Sequence, residues 1–216
     1  MKSNILELVE LEVAREGAFL LPPITQRLRA GEILLVQGRN GAGKSTLLKT
    51  IAGLLYPLSG AILLDGQPLA KNPAYPANIT YLGHRRGVEA SLSVRSHVTF
   101  WARAYGCAEL IEAALHYFDL EDIADVPVHR LSAGWQQRVA LTRLIVQPGG
   151  IWLLDEPTAN LDEDGLGLLH SIIATRQEQG GIILIASHGR VEGSMVRTLD
   201  LDAAYSGEVP HVAHAH

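Results

Sequence analysis

The sequence predicts an α/β domain with a mostly parallel central sheet, an amino-terminal antiparallel β region and an inserted α-helical region. Three observations predict it. Strand-like apolar runs alternate with helix-like segments on both sides of the chain's middle, as in "ILLVQGRNGAGKSTLLKTIAG" and "GIWLLDEP". From Ser93 to about Gln147 the spacing is helical, with hardly a strand signal. Two strand-like runs, "NILELVELEV" and "AFLLPPITQRLR", come before any helix.

The elements follow in order. "NILELVELEV" reads as a strand, and "AFLLPPITQRLRAGEILLVQG" as two more joined at "RAGE". Pro22 and Pro23 cannot donate to a ladder, so their strand is expected at an edge or interrupted there. "KSTLLKTIAGLL" is a helix ending near Gly53, and "YPLSG" is a turn into "AILLDGQPL". "ANITYLG" is a short strand. "SLSVRSHVTFWARAYG", "CAELIEAALHYFDL" and "GWQQRVALTRLIVQ" are helical, while "GIWLLDEP" and "GGIILIASH" are strands flanking the helix "DEDGLGLLHSIIATRQEQ". "VRTLDLDAAYSGEV" reads as short β-like pieces. The expected organisation is one domain over 1–206, its helical part at about 85–147, and a histidine-containing tail, 207–216.

At 216 residues, 47% hydrophobic and 19% charged, the chain has the composition of a folded globular protein. A net charge of −5 argues against a protein whose main task is coating nucleic acid. A lone cysteine, Cys107, allows no disulfide within the chain and suits a reducing compartment. No run approaches the roughly 18 uninterrupted apolar residues of a spanning helix, so direct insertion into a membrane is not expected.

"GRNGAGKST" follows an apolar strand and opens a helix, the context a phosphate-binding loop requires. Its glycines let backbone N–H groups turn inward on an anion, and the helix start adds partial positive charge. The expected nucleotide-binding residues are Gly38, Arg39, Asn40, Gly41, Ala42, Gly43, Lys44, Ser45 and Thr46. Lys44 reaches the β- and γ-phosphates, Ser45 supplies an oxygen to Mg²⁺, and Thr46 meets the α-phosphate. "IWLLDEP" delivers two carboxylates at the carboxyl end of a buried strand: Asp155 for the Mg²⁺ shell and Glu156 to accept a proton from water or to position it. Together the two motifs predict a P-loop nucleoside-triphosphatase.

Further motifs follow in a fixed order: "LSAGW" (Leu131, Ser132, Ala133, Gly134, Trp135) opening an amphipathic helix, then the Asp-Glu strand, "TANLD" ending at Asp162, and "ASH" ending at His188. Over nearly the whole chain this series resembles the ATP-binding cassette family. The resemblance implies a head-to-tail homodimer in which each ATP lies between one subunit's phosphate loop and the partner's "LSAGW" signature. Ser132 and Gly134 then touch the γ-phosphate across the interface, His188 contacts it within its own subunit, and Asp162 couples the two sites. The family's signature commonly ends in glutamine, where this chain has Trp135. Its adenine-stacking aromatic is replaced near that place by Arg15, whose guanidinium can also stack on a base.

"YLGHRRGVEASLSVRSHVTFWARAYG" is similar to the ATPase subunit of the bacterial haem-exporter complex of cytochrome c maturation, with Arg85 and "SVRSHVTFW" as departures. His84 stands where the wider family has a glutamine that touches Mg²⁺ and the attacking water, so it joins the candidate catalytic set of Glu156, His188 and Lys44. The resemblance implies integral membrane subunits as partners, a haem chaperone as an indirect one, no nucleic acid, and a peripheral place on the cytoplasmic face of the inner membrane. A transporter ATPase for another cargo, such as a lipid, an ion or a lipoprotein, and a soluble cassette ATPase remain alternatives. His211, His214 and His216 are read as a tail without a role.

Overall fold

A computed structural model of the protein describes residues 5–15, 18–71, 75–83, 89, 91–147, 149–188 and 195–205. Two sheets organise it. The first is antiparallel, in the order β2 (Ala18–Arg29), β1 (Ile5–Arg15), β4 (Ser59–Leu64), β5 (Gln67–Pro68). The prolines of β2 lie on its edge strand, and the β1–β2 register slips between the Leu11↔Ile24 and Val13↔Leu21 pairs, so Pro22 and Pro23 fall in the irregular interval.

The second sheet is parallel, in the order β6 (Ile79–Leu82), β7 (Ile151–Asp155), β8 (Ile182–Ala186), β3 (Ile33–Gln37), β9 (Val196–Asp200). Side-chain alternation along its strands divides the core in two. Leu34, Val36, Ile151, Leu153, Ile182 and Leu184 face one side, where they pack with α1 (Lys44–Ile51) and the antiparallel sheet. Ile33, Leu35, Trp152, Leu154, Ile183 and Ile185 face the other, against α2 (Val94–Ala104), α3 (Ile111–Tyr117), α4 (Ala133–Leu141), α5 (Arg143–Val146) and α6 (Glu163–Glu178). Each such fully buried aliphatic side chain contributes about 1.5–3 kcal/mol. Alternation continued one step past Leu154 puts Asp155 on the α1 side, and that positions the site.

Two segments differ from their sequence reading. "GWQQRVALTRLIV" is two helices, not one: Thr142 turns its hydroxyl onto the Val139 carbonyl at 2.7 Å, between the end of α4 and the start of α5. "LDAAY" is a short helix, α7 (Leu201–Tyr205), not a β-like piece. The Asp200 carboxylate accepts from the backbone N–H groups of Asp202 and Ala203 at 2.9 and 3.3 Å, and this local cap outweighs the strand-like look of the apolar residues. The tail 207–216 lies outside the described residues.

Helix α2 starts on Ser93, whose hydroxyl accepts from Ser96 N at 3.2 Å, and it buries His97 to 1% exposure. His97 Nε2 has no hydrogen-bond partner among the described residues. Burial, and then the Arg143 charge, push its pKa down from 6.5 to about 4. Between those values the unfolded chain takes up a proton that the folded chain refuses. Stability from this group is therefore complete above pH 6.5 and lost as pH falls toward 4, a loss of about 3 kcal/mol at 1.36 kcal/mol per pKa unit. Urea unfolding across that range should show the loss and His97→Gln should flatten it. An equally steep acid slope in the variant would assign the titration to another group.

Candidate nucleotide-binding site

The loop between β3 and α1 wraps around its own lysine. Gly38, Gly41 and Gly43 have φ of 147°, 85° and 99°, a region that residues with a Cβ rarely enter. Lys44 is 7% exposed, and its Nζ donates to Gly38 O at 2.6 Å and Arg39 O at 3.3 Å. With the ammonium held inside the turn, the loop can receive an anion between its backbone N–H groups and the start of α1, where Ser45 and Thr46 are half-buried. The loop is also anchored from behind, since Arg39 N donates to Asp202 Oδ2 of α7 at 2.7 Å. The sequence reading missed Asp202, which is distant in the chain and belongs to no motif.

Asp155 and Glu156 arrive from β7, separated from β3 in the sheet by β8. Asp155 is 5% exposed and pairs in register with Ala186 at the end of β8. Glu156 sits at φ 52°, a left-handed conformation that costs a non-glycine residue about 1–3 kcal/mol. Its N–H donates to Ala186 O at 2.8 Å, which fixes the turn. Glu156 Oε1 is buried without a hydrogen-bond partner among the described residues and lies 3.5 Å from His188 Nε2.

His188 Nε2 is also 3.2 Å from Lys44 Nζ and 2.8 Å from Asn40 Oδ1. One ring nitrogen cannot serve both. Protonated at Nε2 it donates to Asn40, and protonated at Nδ1 instead it accepts from Lys44. The structure thus brings Asn40, Lys44, Glu156 and His188 together at the carboxyl ends of β3, β7 and β8. Tyr81, given no role by the sequence reading, lies on the same side of the sheet: burial, then the Asp155 charge, hold its phenol well above the ordinary tyrosine range, so it remains a hydroxyl beside that carboxylate.

For Mg²⁺, the test is the donor set. Among the described residues no group of three or more His, Cys, Asp or Glu side chains is placed to hold a metal unaided. A buried carboxylate at Asp155 and a hydroxyl at Ser45 suit an ion that takes its remaining ligands from phosphate and water.

The signature and "TANLD" segments touch within one chain. Ser132 caps α4, its Oγ accepting from Trp135 N at 3.4 Å. Leu131, Gly134 and Trp135 are half-buried, while Ser132 and Ala133 are exposed at the helix start. Asp162 caps α6 by accepting from Gly165 N at 2.9 Å, and it also accepts from Arg138 Nη2 at 2.7 Å. The Arg138 bond, then the Gly165 N–H, hold the Asp162 carboxyl below the ordinary range. His84 and the side chain of Arg15 lie outside the described residues.

A glycine-rich strand-to-helix loop around a buried lysine, facing two successive carboxylates at the carboxyl end of one parallel strand of the same sheet, defines a P-loop nucleoside-triphosphatase domain. Residues 21–159 match the family described as ABC transporter, and the chain belongs to that family. Among its relatives, the "Cytochrome c biogenesis ATP-binding export protein CcmA" of Xanthomonas oryzae pv. oryzae is 42% identical over 90% of this chain and 92% of its own length. The protein of that name from Paramagnetospirillum magneticum is 35% identical over 97% of this chain and 100% of its own. A putative ABC transporter ATP-binding protein from Pyrococcus furiosus superposes with a TM-score of 0.79 at 31% identity, covering 92% of this chain and 98% of that one.

Proposed function

We propose that this chain is the ATP-hydrolysing subunit of a cytochrome c biogenesis export system of the haem-export type. The observation that carries the chemistry is the convergence of Lys44, Glu156 and His188, with Glu156 Oε1 buried, without a hydrogen-bond partner among the described residues and 3.5 Å from the His188 ring. The cytochrome c assignment is supported by the CcmA relatives, whose identity of 35% and 42% extends over most of the chain.

ATP is the substrate. The loop Gly38–Thr46 binds its phosphates through backbone N–H groups, and Lys44 exchanges its loop carbonyls for β- and γ-oxygens. Asp155 and Ser45 hold Mg²⁺, which, when bound, neutralises charge building on the phosphates. Glu156 takes the proton of the attacking water, and His188 contacts the γ-phosphate. Two copies meet head to tail, each presenting Ser132 and Gly134 to the other's triphosphate. The pair acts peripherally, docked on integral membrane subunits at the cytoplasmic face of the inner membrane, a reading supported by the export-protein relatives. Among the described residues no helix is long and apolar enough to cross a membrane. Closing on ATP and opening after hydrolysis supply the stroke.

Lys44→Ala in the native cell tests both levels. Mature c-type cytochrome should fall to near background and haem-loaded periplasmic carrier should accumulate, read by haem staining. Normal cytochrome with abolished ATPase activity would remove the cytochrome c assignment and leave the ATPase standing.

A further inference from the structure

We propose that Arg138 is a positioning residue that locks the signature turn at the start of α4 and the segment 157–162 into one body, with the Trp135 indole as its cover. The inference rests on the head-to-tail reading above. Arg138 is the buried member of a three-residue cluster: its side chain is 6% exposed, while its two carboxylate partners, Asp119 and Asp162, are 64% and 67% exposed. Nη1 donates to Asp119 Oδ2 at 3.0 Å and Nη2 to Asp162 Oδ1 at 2.7 Å. A buried guanidinium cannot give up its partners cheaply, whereas surface carboxylates can be rehydrated. Arg138 is therefore the fixed pin, and the turn after α3 and the end of "TANLD" are drawn to it. The planar fork serves both carboxylates at once, which an ammonium cannot do in the same geometry.

Other contacts run parallel to it. Gln137 Nε2 donates to Pro157 O at 2.9 Å. Gly134 lies so close to the turn between β7 and α6 that a Cβ there would stand 2.8 Å from Asn160 O. The Arg138 guanidinium sits 4.9 Å from the centre of the Trp135 ring, a cation–π arrangement that shields it from water. Trp135 thus does inside its own chain a task distinct from the polar contact expected of a glutamine at that position. Pro157 directly follows Glu156, so a displacement of Ser132 and Gly134 by the partner's triphosphate is passed to the turn that carries the chain's own water-activating carboxylate.

The test uses the full chain carrying Glu156→Gln, with and without Arg138→Gln, Arg138→Lys or Asp162→Asn. Three readouts are needed: nucleotide binding to the monomer with a fluorescent ATP analogue, ATP-Mg²⁺-dependent dimerisation by sedimentation, and hydrogen exchange of the amides of 158–162. With Arg138→Gln, monomer binding should stay within about twofold and dimerisation should weaken by about tenfold, within the coupling range of groups in one network. Exchange at 158–162 should quicken while that of α1 does not change. Arg138→Lys should recover part of the loss, and adding Asp162→Asn to Arg138→Gln should add little.

Unchanged exchange in Arg138→Gln overturns the lock, as does additivity of the two substitutions. If the Glu156→Gln parent does not dimerise with ATP, the head-to-tail reading falls, while quickened exchange would still establish the lock within the chain. Should Arg138→Gln fail to fold, Arg138→Lys, which keeps the charge, carries the same comparison.

Discussion

Replacing Glu156 by glutamine is expected to lower steady-state ATP hydrolysis by about 10²- to 10⁴-fold, the range over which removal of a general base acts, while ATP is still bound. The substitution is isosteric, so the left-handed turn at Glu156 (φ 52°) and its N–H bond to Ala186 O at 2.8 Å are retained. What is lost is the capacity to take a proton at Oε1, the buried oxygen that faces His188 at 3.5 Å. An amide in that place still offers hydrogen bonds to water but cannot become its acid. Binding depends on Lys44 at the start of α1 and on the amides of the loop between β3 and α1, which do not contact the Glu156 side chain through any described hydrogen bond. Phosphate release at saturating ATP, set beside equilibrium nucleotide binding, checks the split. Turnover near that of the parent would deny Glu156 the role of base and shift attention to His188.

The portions of this fold that could be read from sequence are those where backbone geometry forces residue type. A turn needing φ of 147°, 85° and 99° selects Gly38, Gly41 and Gly43, so the phosphate loop announces itself. A strand buried on both faces must be apolar throughout, so Ile151–Leu154 stands out and Asp155 marks its end. Capping is equally visible when the capping residue is Ser132 or Asp162.

What was illegible depends on distance in the chain. Nothing in "QQR" says that Arg138 will meet Asp119 and Asp162, nothing in "LDAAY" that Asp202 will brace Arg39, and nothing in "SVRSHVTFW" that His97 will be buried. Each of these is decided by which helix packs over which loop. Periodicity registers a helix and its apolar face but not its neighbour. Trp135 shows the limit most clearly: by residue type it is a departure from a family pattern, and only the ring-to-guanidinium distance of 4.9 Å gives it a physical role.

Gly134→Ala is a sharper probe of the signature than substitution of any polar residue in it. Alanine is the better helix former by about 1 kcal/mol, so propensity alone predicts a more stable protein. Against that stands the added methyl, 2.8 Å from the Asn160 carbonyl oxygen. That oxygen is backbone, in a residue already at φ 64°, and its segment is tied to α4 on both flanks by the Gln137–Pro157 and Arg138–Asp162 bonds. It has little freedom to withdraw, and overpacking of this kind costs about 1–3 kcal/mol. The clash should therefore win, lowering the unfolding midpoint and tilting α4 away from "TANLD".

A tilt of even about 1 Å at groups that must meet a transferring phosphate is enough for a loss of about 10²-fold in turnover. Monomer nucleotide binding at Lys44 should be preserved. Gly167 of α6 supplies the control, because a Cβ there meets nothing within 4 Å. Gly167→Ala should raise stability by up to about 1 kcal/mol and leave turnover alone. If Gly134→Ala behaved like Gly167→Ala, more stable and fully active, the close approach of α4 to the Asn160 carbonyl would not constrain the site. The glycine would then be needed only by the triphosphate, or by nothing.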